Sequence, residues 1–406
     1  MHILFLHDNF PAQFGVFGRY LIDHGWEVSF GTQRKGAALD GMRVFNYAPH
    51  REPTQKIHPY VGGFEKAVLA GQGFARAGLK LKEAGFVPDI VMAHSGWGPG
   101  LFVQDIWPDA AYIAYFEWYY RGDAPDVAFM GDARTLDDKL RARTRNAQIL
   151  MDLASCDAAL CPTQFQKAQF PAVFHDKLTV MHDGIDTDTY QPAPGAKLQL
   201  PDLDLSNARE IISYVARGME PYRGFPEFMK ALEIVLAERP DAHAVILGED
   251  RVAYGKKLPE GDSFKKRALA ECDLDWSRVH FTGLLPRPKY LEVLQASSVH
   301  VYLTVPFVLS WSMMEAMSAG CSIVSSDVAP VSEMAGGDRP TLLQVDHRNP
   351  GAVAAAIKSL LNDRDKAKAF GAAARDFIVA DFAAQDIYAR KEAWLRSIKK
   401  ETSSRC

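Results

Sequence analysis

Nowhere in this chain is there an apolar run of the roughly 18 residues that a membrane-spanning helix needs. The opening MHILFLHDNF has no basic leader, and its apolar stretch is too short for a signal peptide. A cytoplasmic protein is expected, whose membrane contact can only be peripheral. Cysteine is also scarce. Cys156, Cys161, Cys272, Cys321 and Cys406 are an odd number, scattered, with no close pair at metal-ligand spacing, which argues for a reducing setting and offers no metal site. Neither sign of charge dominates: the formal net charge is -4, so nucleic acid is not an expected partner, because binding a phosphate backbone calls for a basic domain or stripe. One local exception is DDKLRARTRNAQIL, where Lys139, Arg141, Arg143 and Arg145 alternate with small or polar residues. Such a run suits a solvated helix face first, and an anionic membrane surface second.

What fills the 406 residues is a repeated pattern, over a length that favours two domains. Short apolar runs alternate with amphipathic stretches. HILFLH, EVSF, DIVMAH, AYIAYF and AALCP read as buried strands in the first half, with a helical pattern over 14–24 closed by Gly25. IISYVAR, HAVILGE, VHFTG, VHVYLT and CSIVSSD repeat the pattern in the second half, with helices expected over 226–238 and 311–319. Strand and helix in alternation imply βα units on parallel sheets, hence an α/β fold of two doubly wound, Rossmann-like domains with a cleft between them. Between the halves, GIDTDTYQPAPGAKLQLPDLDLSNARE has no periodicity and reads as a linker, with the boundary near residue 190. The expected division is 1–190, 191–375, and a C-terminal helix, 376–406, crossing back to the first domain.

Ligands of such sheets sit outside the carboxyl ends of the strands, so the chemistry is sought there. After the first strand, Gly15 opens a helix whose free N–H groups can face an anion, although a glycine at such a turn also serves as plain steric relief. After IISYVAR, Arg217 and Arg223 flank the turn in GMEPYRGFPEF, with Pro226 in the first helical turn. Two guanidiniums converging there suit a diphosphate, which each can pair bidentately. The competing reading is a pair of surface arginines bonded to Glu220 or Glu227. Glu315, the single acid in VPFVLSWSMMEAMSAGCSIVSSD, fits a capping box with Ser312 and fits equally a carboxylate that accepts ribose hydroxyls. His94 and Glu117 each end a strand of the first half. Glu117 stands among Phe116, Trp118, Tyr119 and Tyr120, which suit a sugar face, a lipid acceptor or a domain core.

The order of MHILFLH, VMHDGIDTDTY, YVARGMEPYRGF, AVILGED, VHFTGLLPRPKYLEVLQASSVHVYLT and MMEAMSAGCSIVSSDVAPVSEMA resembles the retaining GT-B glycosyltransferases of family 4, most strongly over residues 180–335. The resemblance implies transfer of a sugar from a nucleoside diphosphate sugar to a saccharide or lipid-linked acceptor, in envelope polysaccharide or glycolipid synthesis, without metal or other cofactor. It gives Arg217 and Arg223 the donor diphosphate, Glu315 the ribose, Gly15 a place near the phosphates, and backbone groups of Gly283, Leu284 and Leu285 the base. His94 would face the donor sugar and reacting centre, and Glu117, read from its strand end facing the same cleft, is a second candidate catalytic residue. Three departures stand out. The arginine pair is one residue further apart than the family's Arg and Lys. Asp183 replaces a common Asn, and Phe307 stands eight residues before Glu315, where the motif's first glutamate belongs. Two rivals follow: a nucleotide-sugar epimerase on the same fold, and a non-catalytic binding subunit, which Phe307 favours.

Overall fold

A computed structural model describes residues 1–131, 134–337 and 339–403, so Cys406 lies outside the described residues. The chain divides into two compact units, one made of Met1–Asp183 together with the chain from Gln385 on, the other of Gly184–Ala384.

The first unit is built on seven strands: β1 (His2–Leu6), β2 (Glu27–Thr32), β3 (Arg43–Asn46), β4 (Ile90–His94), β5 (Ala111–Tyr115), β6 (Ala158–Cys161) and β7 (Leu178–Val180). Their order is β3-β2-β1-β4-β5-β6-β7, all parallel, with Ile3 of β1 between Val28 and Ile90. The central strands are buried on both faces, which is why they read as unbroken apolar runs. Strands β3 and β7 were not foreseen: each is an edge of only three or four residues, partly exposed, and leaves no such run. The helix 62–83 meets the loop after β4 nearly backbone to backbone. Gly98, at φ +105°, would place a Cβ 2.0 Å from the Ala67 carbonyl oxygen, and one on Gly71 would lie 2.6 Å from that of Gly98. Only glycine fits such a contact, and it fixes the path of the loop that follows His94. The C-terminal helix 384–403 packs its Tyr388 ring 5.4 Å from that of Phe17 and accepts a 2.9 Å bond from the Trp26 indole at Glu392.

The second unit begins with the segment expected to be a linker. It is instead packed: β8 (Gln199–Leu200) and β9 (Leu203–Asp204) pair antiparallel, and Leu198 and Leu205 are buried against Ile211, Val245 and Val293. Its Pro, Asp and Gly content makes the backbone irregular without keeping its leucines from the core. The main sheet consists of β10 (Glu210–Gly218), β11 (Ala242–Glu249), β12 (Val279–Gly283), β13 (Val299–Tyr302), β14 (Ile323–Ser326) and β15 (Leu343–Val345). These are parallel in the order β12-β11-β10-β13-β14-β15. Helices 225–238 and 350–362 bury Phe228, Leu232, Val235, Ile357 and Leu360 against Tyr214, Ile212 and Val301 of the sheet.

In each sheet the first long strand lies in the middle. Strand order reverses between β1 and β4 in one unit and between β10 and β13 in the other. Loops diverge at such points to opposite faces, and the crevice they leave at the carboxyl ends is where doubly wound sheets hold ligands.

Candidate active site

At the β10/β13 reversal, Arg217 is exposed near the end of β10, and no hydrogen bond or ion pair holds it among the described residues. Arg223, six positions on, lies in the opposite environment, only 4% exposed. It donates to Thr304 Oγ1 at 2.9 Å, to the Val308 carbonyl at 3.2 Å and to the Tyr302 hydroxyl at 3.4 Å, and the Tyr254 ring lies 5.1 Å from its guanidinium. Burial works against the charge, but the surrounding Tyr302, Tyr254 and Glu220 hold the guanidinium above its ordinary pKa. The two arginines therefore do not act as a matched pair: one is free to meet an anion, the other ties the loop after β13 to the turn after β10. Neither is held by Glu227 through any bond seen here. Gly224, at φ +60°, then opens helix 225–238 with Pro226 in its first turn.

Glu220 was not singled out as a site residue and is fully buried between these arginines in sequence. Its Oε2 accepts from the Tyr254 amide at 2.7 Å, while Oε1 has no partner among the described residues, and burial pushes the carboxyl up to about 7. Phe307 fills the place expected for the motif's first acid with a ring 5.6 Å from Tyr222 and 5.3 Å from Tyr254. An apolar aromatic cluster thus replaces a carboxylate.

Glu315 is not part of a capping box. The helix runs from Trp311 to Ser318 and is capped by Ser310, whose side chain accepts from the Ser312 amide; Ser312 is already inside the helix. Glu315 Oε2 instead accepts from the Tyr290 hydroxyl at 2.8 Å. The Tyr190 phenol, whose pKa is pushed up by burial and by Glu315, is a neighbour of this carboxylate, and the Arg287 guanidinium lies 5.8 Å from the Tyr190 ring centre. Burial raises the Glu315 carboxyl, against the pull of these two phenols and Arg287. Arg287 and Tyr290 stand three apart on one helix, 287–296, and RPKY was legible as such a face. The cap is testable by itself: Ser310→Ala is expected to lose about 1 kcal/mol in urea unfolding, and an unchanged midpoint would refute the assignment. At the end of β12, Gly283 takes φ +67° and passes the chain to Leu284, exposed, and Leu285, half-buried.

In the first unit, His94 closes β4 and is buried. Its Nδ1 donates to the Ser95 carbonyl at 2.9 Å, and Nε2 lies 3.4 Å from Glu117 Oε2. Burial disfavours the imidazolium, but Glu117 and that carbonyl outweigh it, so the pKa lies above its ordinary value. The two residues expected singly at strand ends are brought together. The His7 ring, 4.8 Å from that of His94, is driven the other way by burial, down to about 3, and is neutral. Gly15 lies in the first turn of helix 14–23, where a Cβ would sit 2.5 Å from the Pro11 side chain; its smallness serves packing at least. In the basic run, Arg141 pairs with Asp137 at 3.2 Å and the Arg145 guanidinium lies 3.8 Å from the Tyr120 ring centre, so two of the four cations are engaged within the unit. Asp183 accepts from the Tyr115 hydroxyl at 2.7 Å and lies 3.5 Å from Lys391 Nζ. Among the described residues no group of three or more His, Cys, Asp or Glu is placed to hold a metal, and no helix is long and apolar enough to cross a membrane.

Two doubly wound parallel sheets, each with polar residues gathered at its strand-order reversal, define the GT-B architecture. The structure of sucrose-phosphate synthase from Thermosynechococcus elongatus superposes with a TM-score of 0.72 over 98% of this chain and 99% of that one, at 17% identity. Family descriptions agree: the glycosyl transferase family 4 group matches residues 24–190, and glycosyl transferases group 1 matches residues 199–377. The chain belongs to this glycosyltransferase family. Among curated relatives, it is 28% identical over 222 residues to alpha-maltose-1-phosphate synthase of Mycolicibacterium smegmatis, covering 52% of this chain and 55% of the relative. It is 25% identical over 251 residues to the GDP-mannose-dependent alpha-(1-6)-phosphatidylinositol monomannoside mannosyltransferase of Mycobacterium tuberculosis, covering 59% of this chain and 62% of the relative. The chain thus spans less than two thirds of either.

Proposed function

We propose that the chain transfers a sugar from a nucleoside diphosphate sugar to an acceptor hydroxyl, with retention at the anomeric carbon. The observation that carries this reading is Arg217: an exposed guanidinium without a partner among the described residues, near the carboxyl end of β10 where strand order reverses. As the bond from the anomeric carbon to the diphosphate breaks, negative charge grows on the leaving phosphate. Arg217 and the amides at the start of helix 225–238 stabilise that charge, while Arg223 holds the loop geometry. The acceptor oxygen bonds to the anomeric carbon on the face the leaving group departs from, and its proton passes to a phosphate oxygen. No enzyme nucleophile and no metal enters this scheme. Glu315 takes the ribose hydroxyls in exchange for its phenol bond, and backbone groups of Gly283, Leu284 and Leu285 meet the base. His94 and Glu117 face the acceptor, with Gly15 near the phosphates. Envelope polysaccharide or glycolipid synthesis is the proposed setting; the mycobacterial mannosyltransferase, named for a phosphatidylinositol glycolipid, supports it. With Arg141 and Arg145 engaged within the unit, peripheral membrane contact rests on Lys139 and Arg143.

Thermal unfolding against UDP, GDP, ADP, CDP and TDP tests the reading. At about a hundred times its dissociation constant a nucleotide stabilises by roughly 2.7 kcal/mol, and one of the five is expected to do so for the parent but not for Arg217→Ala or Glu315→Ala. No shift with any of them would remove the transferase reading. The cluster of Phe307 with Tyr222 and Tyr254 favours one rival, a binding subunit, which would show the shift yet release no transfer product.

A further inference from the structure

One buried carboxylate of the first unit, Asp152, takes no part in the transfer scheme. It stands on helix 147–155 and is 1% exposed. Its Oδ2 accepts from Ser95 Oγ at 2.7 Å and its Oδ1 from the Tyr112 hydroxyl at 2.7 Å. Among the described residues no lysine or arginine pairs with it. A buried charge persists only where hydrogen bonds and an opposite charge make up for the lost water. Burial pushes this carboxyl up to about 6, against the pull of Ser95, Tyr112, the Gly96 amide and the charge of His94, so it is ionised at neutral pH. Cys156, beside it, is pushed up to about 12 by burial and stays neutral.

Ser95 joins this carboxylate to His94. Its hydroxyl donates to Asp152, its amide donates to the Tyr115 carbonyl at 2.9 Å, and its own carbonyl takes the His94 Nδ1 bond at 2.9 Å. Helix 147–155 also holds the next residue, since Gln148 Nε2 donates to the Gly96 carbonyl at 3.4 Å. The Ser95 carbonyl is thereby fixed in place. A carbonyl can only accept, so Nδ1 keeps its proton in both charge states of the ring, and the proton that comes and goes is on Nε2, 3.4 Å from Glu117 Oε2. In a free imidazole either nitrogen can carry the proton. His7, Tyr115, Asp8 and Asp183 also lie around His94, and none of them holds Nδ1 among the described residues.

We infer that Asp152 is a positioning residue for the reaction: through Ser95 it fixes the His94 imidazole with Nδ1 protonated and Nε2 turned to Glu117. The inference rests on the transferase reading for its consequence in turnover, and deepens it by giving His94 a defined tautomer.

Long-range ¹H–¹⁵N NMR on the full chain with ¹⁵N-labelled histidine, from acid to mildly alkaline pH, tests it, with His94 assigned by its loss in His94→Gln. The parent is expected to show neutral His94 in the Nδ1–H form. In Asp152→Asn its titration midpoint is expected to fall by roughly one pH unit and its neutral ring to become a mixture of both tautomers. Ser95→Ala, a gentler change that removes the linking hydroxyl, shifts both in the same direction by less. Tyr112→Phe takes a bond from the same carboxylate but none from the loop, so it loses stability and keeps the parent tautomer. On the same samples kcat is expected to fall on the order of tenfold in Asp152→Asn with the KM for donor unchanged. A His94 signal unchanged in both Asp152→Asn and Ser95→Ala, or changed equally by Tyr112→Phe, overturns the inference, as does an altered tautomer with parent-like kcat. A parent that shows neither transfer nor a nucleoside diphosphate shift strikes the transferase reading instead, and the His94 signal still decides whether Asp152 sets the ring.

Discussion

Arg217→Ala is expected to lower kcat/KM for sugar transfer by roughly 10²–10³, about 2.7–4 kcal/mol of transition-state stabilisation, while leaving the unfolding midpoint where it is. The size follows from what a charged donor aimed at a leaving group supplies in a protein site. The unchanged stability follows from its place, exposed and held by nothing among the described residues. Arg223→Ala is expected to behave in the reverse way. Removing a guanidinium that is 4% exposed leaves Thr304 Oγ1 and the Val308 carbonyl without their donor and opens a cavity under Tyr254. That combination costs about 3 kcal/mol of stability, and activity falls because the loop after β13 loses its anchor. Urea unfolding and steady-state kinetics on the two variants side by side separate the roles. Parent-like turnover in Arg217→Ala would end the assignment of Arg217 to the leaving group. Parent-like stability in Arg223→Ala would show that its buried bonds hold nothing.

Glu220→Gln is expected to be more stable than the parent by about 3 kcal/mol near pH 8, and equal to it near pH 4. Burial raises the folded-state pKa of Glu220 from 4.5 to about 7, so the folded chain keeps a proton that the unfolded chain releases. Its contribution to stability is therefore fully present below the unfolded value and is lost as pH rises through the folded one. Across this window, at about 1.4 kcal/mol per unit, the loss approaches 3 kcal/mol. Glutamine mimics the protonated acid: its oxygen can take the Tyr254 amide, and its NH₂ stands where the unpartnered Oε1 is. Because Tyr254 lies over Arg223, the same ionisation bears on the arginine cover, and the parent should lose stability between pH 4.5 and about 7, where the variant does not. Denaturant midpoints measured from acid to mildly alkaline pH decide it; parallel curves would mean that Glu220 does not hold its proton.

The histidine and glutamate that ended apolar runs, His94 and Glu117, were visible as strand-end residues because a polar group there interrupts a strongly patterned neighbourhood. Their pairing was not visible, since it depends on β4 and β5 lying side by side in register, His94 opposite Tyr115. The same holds for the acids and cations of the second unit. Whether a guanidinium ends in water or under a tyrosine is set by residues far along the chain: Arg223 is bonded to Thr304, 81 positions away, while Arg217, six positions before it, has no bonded partner among the described residues. A local rule even pointed the wrong way at Glu315. Spacing from Ser312 suggested a cap, and the Tyr290 hydroxyl, 25 positions earlier, took the carboxylate instead.

Periodicity along the chain is a local property, and it was enough to establish an α/β protein with two parallel sheets and the central strands of each, because burial on both faces writes itself into consecutive residues. Edge strands β3 and β7, the packed segment 184–210, and the divergent fates of Arg217 and Arg223 came from the assembled structure. Those features depend on which distant groups meet, and a sequence pattern records the solvent a residue avoids without recording the partner it finds.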